Sequence, residues 1–341
     1  MTTADKYRAA GVDLDAADQA KQRIRAAVTS THTPLTMGGF GSFGGIVRLP
    51  DDVDRPALVM STDGVGTKVL VAIAAGRHDT VGEDLVNHSV NDILVHAARP
   101  LAFLDYIAGS LLDVETIAAL VDGVARGCRM HDLTLAGGET AQMPDIYHPG
   151  HYDLAGTIVG VVSADAALQG DRVRPGDQLV GYASSGLHTN GYTLVRRILF
   201  EELGLEIDSD IPGVGATVGE ELLKVHRSYW SAISPVIAEV NALAHITGGG
   251  IAGNLSRPLP EGCGARVERS AWEGPPIFQV LQDAGGVDAA EMLRVFNMGL
   301  GMIAVVPSAG VEPVRRQAES VGVKTWMVGE IARGEGVVIA G

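Results

Sequence analysis

Gly137-Gly138-Glu139-Thr140-Ala141-Gln142-Met143-Pro144 is the stretch that says most about this chain. It sets a glycine pair beside one acidic side chain and stops the backbone at a proline. Upstream lie Asp63-Gly64-Val65-Gly66-Thr67-Lys68 and Val90-Asn91-Asp92. Each of the three joins a hard oxygen ligand to backbone freedom or a nearby amide. That is the chemistry that holds magnesium against phosphate oxygens.

The sequence around these segments predicts a mixed sheet with helices. Residues 13–30 read as a helix, with Ile24 and Val28 four apart on one face. Residues 45–49 and 57–61 read as short strands joined by a Pro/Asp-rich turn. Residues 78–98 read as a long helix, since Val81, Leu85, His88 and Asp92 keep helical spacing. Arg99-Pro100 ends it. A buried strand is expected over 101–108, a helix capped by Asp113 through about Met130, and a strand over 153–162. The polar segment Gln169–Gly176 reads as a linker. Beyond it, strands are expected at 177–183, 265–268, 301–306 and 324–331, with helices at 190–203, 220–226 and 229–243. The expectation is an α+β chain of two mixed α/β domains, residues 1–167 and 168–341.

Composition narrows the function. A chain of 341 residues with 46% hydrophobic and 20% charged residues can bury two cores. Its net charge of −15 argues against a nucleic-acid partner, which selects for clustered Lys and Arg. A phosphate ligand must then be held by metal, backbone N–H groups and a few local cations. Cys128 and Cys263 are far apart and lack metal-ligand spacing. No apolar run reaches membrane-spanning length and no signal-peptide pattern opens the chain, so a soluble cytoplasmic protein is expected.

Each motif has a plainer reading beside the functional one. Gly39-Phe40-Gly41-Ser42-Phe43-Gly44 matches G-x-G-x-x-G but precedes a strand and opens no helix, so it is not a dinucleotide fingerprint. Alone it reads as a surface loop; its two aromatics fit a lid over a nucleotide better. Asp63 to Lys68 is no Walker sequence. Read as a helix cap it leaves Gly66 and Lys68 idle. Read as a phosphate and metal loop it uses all four residues. Asp92 falls on the apolar face of its helix and needs a partner, either a basic side chain or a metal. Metal is favoured because Asp63 and Glu139 are also at hand. Asp105 interrupts an apolar strand, with a structural and a ligand role equally open. Ser184-Ser185-Gly186-Leu187-His188-Thr189-Asn190-Gly191 and Thr247-Gly248-Gly249-Gly250 each run from a strand into glycines and a helix, as anion cradles do.

Taken in order, Gly38–Gly41, Asp63–Lys68, Asn91-Asp92, Gly137–Pro144, Ser184–Gly191 and Thr247–Gly250, with Phe296-Asn297, Gly299 and Gly301-Met302, resemble the phosphoribosylformylglycinamidine cyclo-ligases. These are also called aminoimidazole ribonucleotide synthetases. The resemblance runs from about Tyr7 to about Glu330. It implies ATP-dependent closure of the imidazole ring of formylglycinamidine ribonucleotide, with ATP and Mg2+ as cofactors. It further implies a homodimer whose ferredoxin-like N-terminal domains pair across the two-fold. Carried onto this sequence, it makes Lys68, His188 and Asn190 catalytic. It gives nucleotide binding to Gly39, Phe40, Gly41, Asp63, Gly64, Gly66, Thr67, Lys68, Asn91, Gly138, Thr140, Gly248 and Gly249. It gives the metal to Asp63, Asp92 and Glu139. His88-Ser89 and Gln142 depart from the family pattern without removing a proposed ligand. Related ATP-dependent enzymes, such as selenophosphate synthetase or a small-molecule kinase, are the runner-up reading. A nucleotide-binding regulator without turnover is a third, which the retained acidic residues disfavour.

Overall fold

The computed structural model describes residues 14–341 and divides the chain into two units. The first runs up to Ser89 and resumes over Arg99–Ser163; the second comprises Val90–Ala98 and Ala164–Gly341.

The first unit contains α1 (Leu14–Thr29), β1 (Pro56–Gly64), α2 (Lys68–Ala75), α3 (Asp79–Leu94, which runs on into the second unit), β2 (Arg99–Gly109), α4 (Val114–Met130), β3 (Thr134–Gln142) and β4 (Tyr152–Ser163). Asp113 caps α4 as expected, its carboxylate accepting from Thr116 N–H at 2.8 Å. That cap is worth about 1 kcal/mol. The buried stripe Ile117, Leu120, Val121, Val124 and Cys128 then faces the core. Gly123 lets the backbones of α4 and α3 touch: a Cβ there would sit 1.9 Å from the Asp79 carbonyl oxygen. Strand order is β1-β4-β2-β3, antiparallel except for the parallel β2/β3 pair. This corrects the ferredoxin-like expectation. That fold runs β-α-β-β-α-β, whereas these elements run α-β-α-α-β-α-β-β. The strand expected at 45–49 is reduced to one isolated bridge, Thr36 to Val47. The stretch Gly137–Gln142 is itself part of an edge strand, β3.

The second unit carries a six-stranded sheet, ordered β10-β7-β9-β5-β8-β6. Its elements are β5 (Gln178–Ala183), α5 (Tyr192–Arg196), α6 (Val218–Leu222), α7 (Trp230–Ile233), β6 (Ala242–His245), α8 (Gly250–Leu255), β7 (Cys263–Glu268), α9 (Ile277–Gly285), α10 (Ala289–Val295), β8 (Leu300–Val306), α11 (Val311–Ser320), β9 (Thr325–Arg333) and β10 (Val337–Ala340). α5 continues as a π-helical segment, Arg197–Glu202. All seven residues of β8 are buried. Ile303 and Val305 pack into one core cluster, Met302, Ala304 and Val306 into the other, as the two-residue period of a strand requires. Each of these side chains except the small Ala304 contributes about 1.5–3 kcal/mol of burial. The single helix expected over 229–243 is instead α7, a 3-10 turn over Ser234–Glu239 and then β6. Pro235 lacks the N–H that a continuous helix would need. Among the described residues, no helix is long and apolar enough to cross a membrane.

Candidate functional site

In the first unit, β1 delivers Asp63 at its C-terminal end. Its Oδ1 accepts from Gly64 N–H at 2.7 Å, and its Oδ2 lies 2.9 Å from Nε2 of buried His88 on α3. The side chain remains 51% exposed. Gly64, Gly66 and Thr67 then turn the chain into α2, with Gly66 in the left-handed region at φ 57°. Lys68, the first residue of α2, departs from expectation. Its ammonium is fully buried and pairs with Asp84 of α3 at 2.8 Å. Burial pushes its pKa down, with Asp84 opposing. Lys68 is thus a strut beneath the glycine turn and presents no charge at the surface.

The strand register explains much of the decisive stretch. Asp63 pairs with Gly156, Gly156 with Asp105, and Asp105 with Gly138. Cross-strand partners share a face, so the row Asp63, Gly156, Asp105, Gly138 looks toward one side. Gly138 is bare because Asp105 lies against it: a Cβ there would sit 2.0 Å from Asp105 Oδ1. Burial raises the Asp105 pKa to about 7, against a weaker pull from its own backbone N–H. Glu139, one residue on, points to the opposite face and is exposed, as is Thr140. β1 and β3 are the two edges of the sheet, roughly 14 Å apart across β4 and β2. Within one unit, then, Asp63 and Glu139 are not brought together. In the glycine loop, side chains added at Gly39, Gly41 and Gly44 would meet open space, and Phe43 is fully exposed. Phe40 lies under the Arg25 guanidinium, 4.7 Å from its ring centre.

In the second unit the glycine loops after β5 and β6 meet. A Cβ on Gly248 would sit 3.4 Å from Asn190 Oδ1, and Gly249 adopts φ 95° at the start of α8. Asn297 holds the first loop in shape: its Nδ2 donates to Gly186 O at 2.9 Å, and its Oδ1 accepts from Gly299 N–H at 2.8 Å. His188 is buried in the left-handed region at φ 62°. Its Nε2 accepts from Ser185 N–H at 3.2 Å. This is the capping and packing role common for a loop histidine. Asn91 is also fully buried: its Oδ1 accepts from Tyr229 N–H and its Nδ2 donates to Arg227 O. It clamps the 227–229 backbone, so a direct nucleotide contact is not where the structure puts it. Asp92 receives the basic partner that its position demanded, with Oδ1 2.9 Å from His245 Nδ1. Asp84, His88, His226 and His245 carry this architecture and were not expected as site residues. The one signal for His88 was a polar side chain in the apolar spacing of its helix.

Two family models match the chain. The AIR synthase related protein N-terminal domain covers residues 43–162 and the AIR synthase related protein C-terminal domain covers residues 174–341. Among curated proteins, a phosphoribosylformylglycinamidine cyclo-ligase of Desulfatibacillum aliphaticivorans is 46% identical over 98% of both chains. One from Sorangium cellulosum is 47% identical over 95% of this chain and 94% of its own. The fold is shared with thiamine-monophosphate kinase of Stenotrophomonas maltophilia at a TM-score of 0.71 and 20% identity, over 94% of this chain and 95% of that one. It is shared also with E. coli HypE, a hydrogenase maturation protein, at 0.64 and 19%, over 94% of each chain.

Proposed function

This chain belongs to the phosphoribosylformylglycinamidine cyclo-ligase family, and we propose how its residues serve the ATP-dependent ring closure of purine biosynthesis. The observation that carries the reading is identity of 46% over 98% of the chain with a cyclo-ligase of matching length. An amide oxygen is a poor leaving group. Transfer of the γ-phosphoryl of ATP to the formyl oxygen converts it into phosphate ester, leaving ADP. The amidine-side nitrogen then attacks that carbon, the ring closes, and the oxygen departs with phosphate. The protein's work is alignment and charge neutralisation.

Asp63, Asp92 and Glu139 are the proposed magnesium ligands. The donor set fits: all are hard carboxylate oxygens, and none is fully buried. When bound, magnesium neutralises phosphate charge. Because Asp63 and Glu139 stand on opposite faces and edges of one sheet, they serve different ions in a single copy. Gly64, Gly66 and Thr67 offer backbone N–H groups to phosphate, and the open Gly39-Phe40-Gly41 loop folds over the nucleotide beside Gly138 and Thr140. Gly248, Gly249 and Asn190 hold the ribonucleotide. His188 acts by shaping its loop, and Lys68 by bracing the turn. Asp63→Asn should abolish most of the thermal stabilisation that magnesium-ATP gives the wild type. An unchanged shift would remove Asp63 from the metal set.

A homodimer completes the proposal, and the cytoplasm is its proposed location. One face of the first sheet exposes Leu58 and Met60 on β1 and Leu104 and Tyr106 on β2. Val159 and Thr157 of β4 lie between them in register. An apolar face of this kind fits a second copy better than water. Sedimentation as a monomer at micromolar concentration would refute the dimer.

A further inference from the structure

Four side chains of the second unit form a chain that the ring-closing chemistry does not call for. Asp92 Oδ1 meets His245 Nδ1 at 2.9 Å. His245 Nε2 lies 3.2 Å from His226 Nε2. The His226 ring stacks on that of His188, with centroids 3.9 Å apart and planes 24° from parallel. His226 is fully buried, and His188 and His245 nearly so.

Asn91 sets the direction of the hydrogen bonds at His226. Tyr229 N–H donates to one end of its amide at 2.9 Å, so that end is the oxygen. The other end is NH2. It donates to Arg227 O at 2.8 Å and faces His226 Nε2 at 3.2 Å. An NH2 group has only hydrogens to offer, so His226 Nε2 presents its lone pair. The His226 proton therefore sits on Nδ1, toward Thr189 Oγ1 at 3.4 Å. His245 Nε2 lies at the same 3.2 Å from that lone pair and donates to it when the ring, whose Nδ1 hydrogen is given to the Asp92 carboxylate, carries a hydrogen on both nitrogens.

The chain's ends are what give it a function. His245 is two residues before the Thr247–Gly250 loop, and His188 and Thr189 belong to the Ser184–Gly191 loop. His188 cannot drift away, because Gly301 closes on it: a Cβ there would sit 2.4 Å from His188 Cε1. His226 thus touches one glycine loop by its ring face and reaches the other, and Asp92, through His245. We infer that His226 is a positioning residue for the cyclo-ligase reaction, fixing the two glycine loops and the Asp92 carboxylate in one geometry through its Nε2 lone pair. The inference rests on the family reading for the reaction, while the hydrogen-bond polarity stands without it. Orienting partners of this kind typically matter ten- to a hundredfold in metal sites.

Two measurements test this. Nitrogen-15 NMR of histidine-labelled wild-type protein at neutral pH should find His226 protonated on Nδ1 and bare on Nε2. The opposite tautomer overturns the inference whatever the enzyme does. His226→Phe keeps a ring on His188 and removes the lone pair. It should lower kcat at least tenfold while thermal stabilisation by the ribonucleotide persists. His226→Gln restores an acceptor and should recover most of that loss. Equal kcat in His226→Phe and wild type overturns the inference, as does a loss that Gln fails to rescue. If the wild type itself forms no aminoimidazole product, the family reading fails and the tautomer result still decides the polarity.

Discussion

Asp105→Asn should stabilise this protein, and only at the pH values where the carboxyl is forced to ionise. Asp105 sits on the inner face of β2 between buried Phe103 and Ile107, against Gly138 of β3. Burial lifts its pKa from the usual 3.8 to about 7. In the unfolded chain the group ionises near 3.8, so between pH 4 and pH 7 the folded state holds a proton that the unfolded state has lost. Stability conferred by the neutral acid therefore falls as pH rises through this window, then levels off. The gap from 3.8 to about 7 corresponds to roughly 4 kcal/mol at 1.36 kcal/mol per pH unit. Asp105 is part-exposed, and water reaching it should reduce the effect to about 2–4 kcal/mol. Asn keeps the shape and cannot ionise. Urea unfolding of both proteins from pH 4 to pH 8.5 gives the difference directly. The variant's advantage should be near zero at pH 4 and reach its plateau above pH 7. A difference independent of pH, or a less stable variant at pH 8.5, would show that burial does not hold the Asp105 carboxyl neutral.

The Lys68–Asp84 pair offers a second test. Asp84→Asn leaves a buried ammonium without its counter-charge and should cost about 3–5 kcal/mol in denaturant unfolding, whereas Lys68→Met with Asp84→Leu should cost far less. Gly123→Ala places a methyl 1.9 Å from the Asp79 carbonyl, forces α3 and α4 apart, and should lower stability by about 1–3 kcal/mol or more in the same assay. Met60→Asp puts a charge on the exposed apolar face of the first sheet and should shift sedimentation toward the monomer without a change in circular dichroism.

Much of the fold was legible because its elements announce themselves locally. Asp113 before an apolar stripe gave α4 its start, and the apolar runs at 101–108 and 301–306 gave β2 and β8; the helix expected to run to Arg99-Pro100 stops at Leu94, and those two residues open β2. What escaped was structure decided by distant partners. β3 is an edge strand whose glycine pair and polar side chains carry no strand pattern; Asp105, more than thirty residues away, explains Gly138. β6 was hidden in an apolar run that Pro235 breaks. In the candidate site, the glycine loops and acidic residues could be found because their composition is unusual. The roles of Lys68, His188 and Asn91 could not, since burial and partner belong to the folded chain. Asp92 lies between the two cases: its need for a partner was readable, but His245 as that partner was not.

Ring closure itself is the most direct test. Purified protein should be incubated with magnesium, ATP and formylglycinamidine ribonucleotide, while ADP, phosphate and aminoimidazole ribonucleotide are followed together. One ADP and one phosphate should form for each ring closed, and neither should form when the ribonucleotide is left out. ATP hydrolysis at the same rate without that substrate, with no aminoimidazole product, would rule out the cyclo-ligase reaction for this protein.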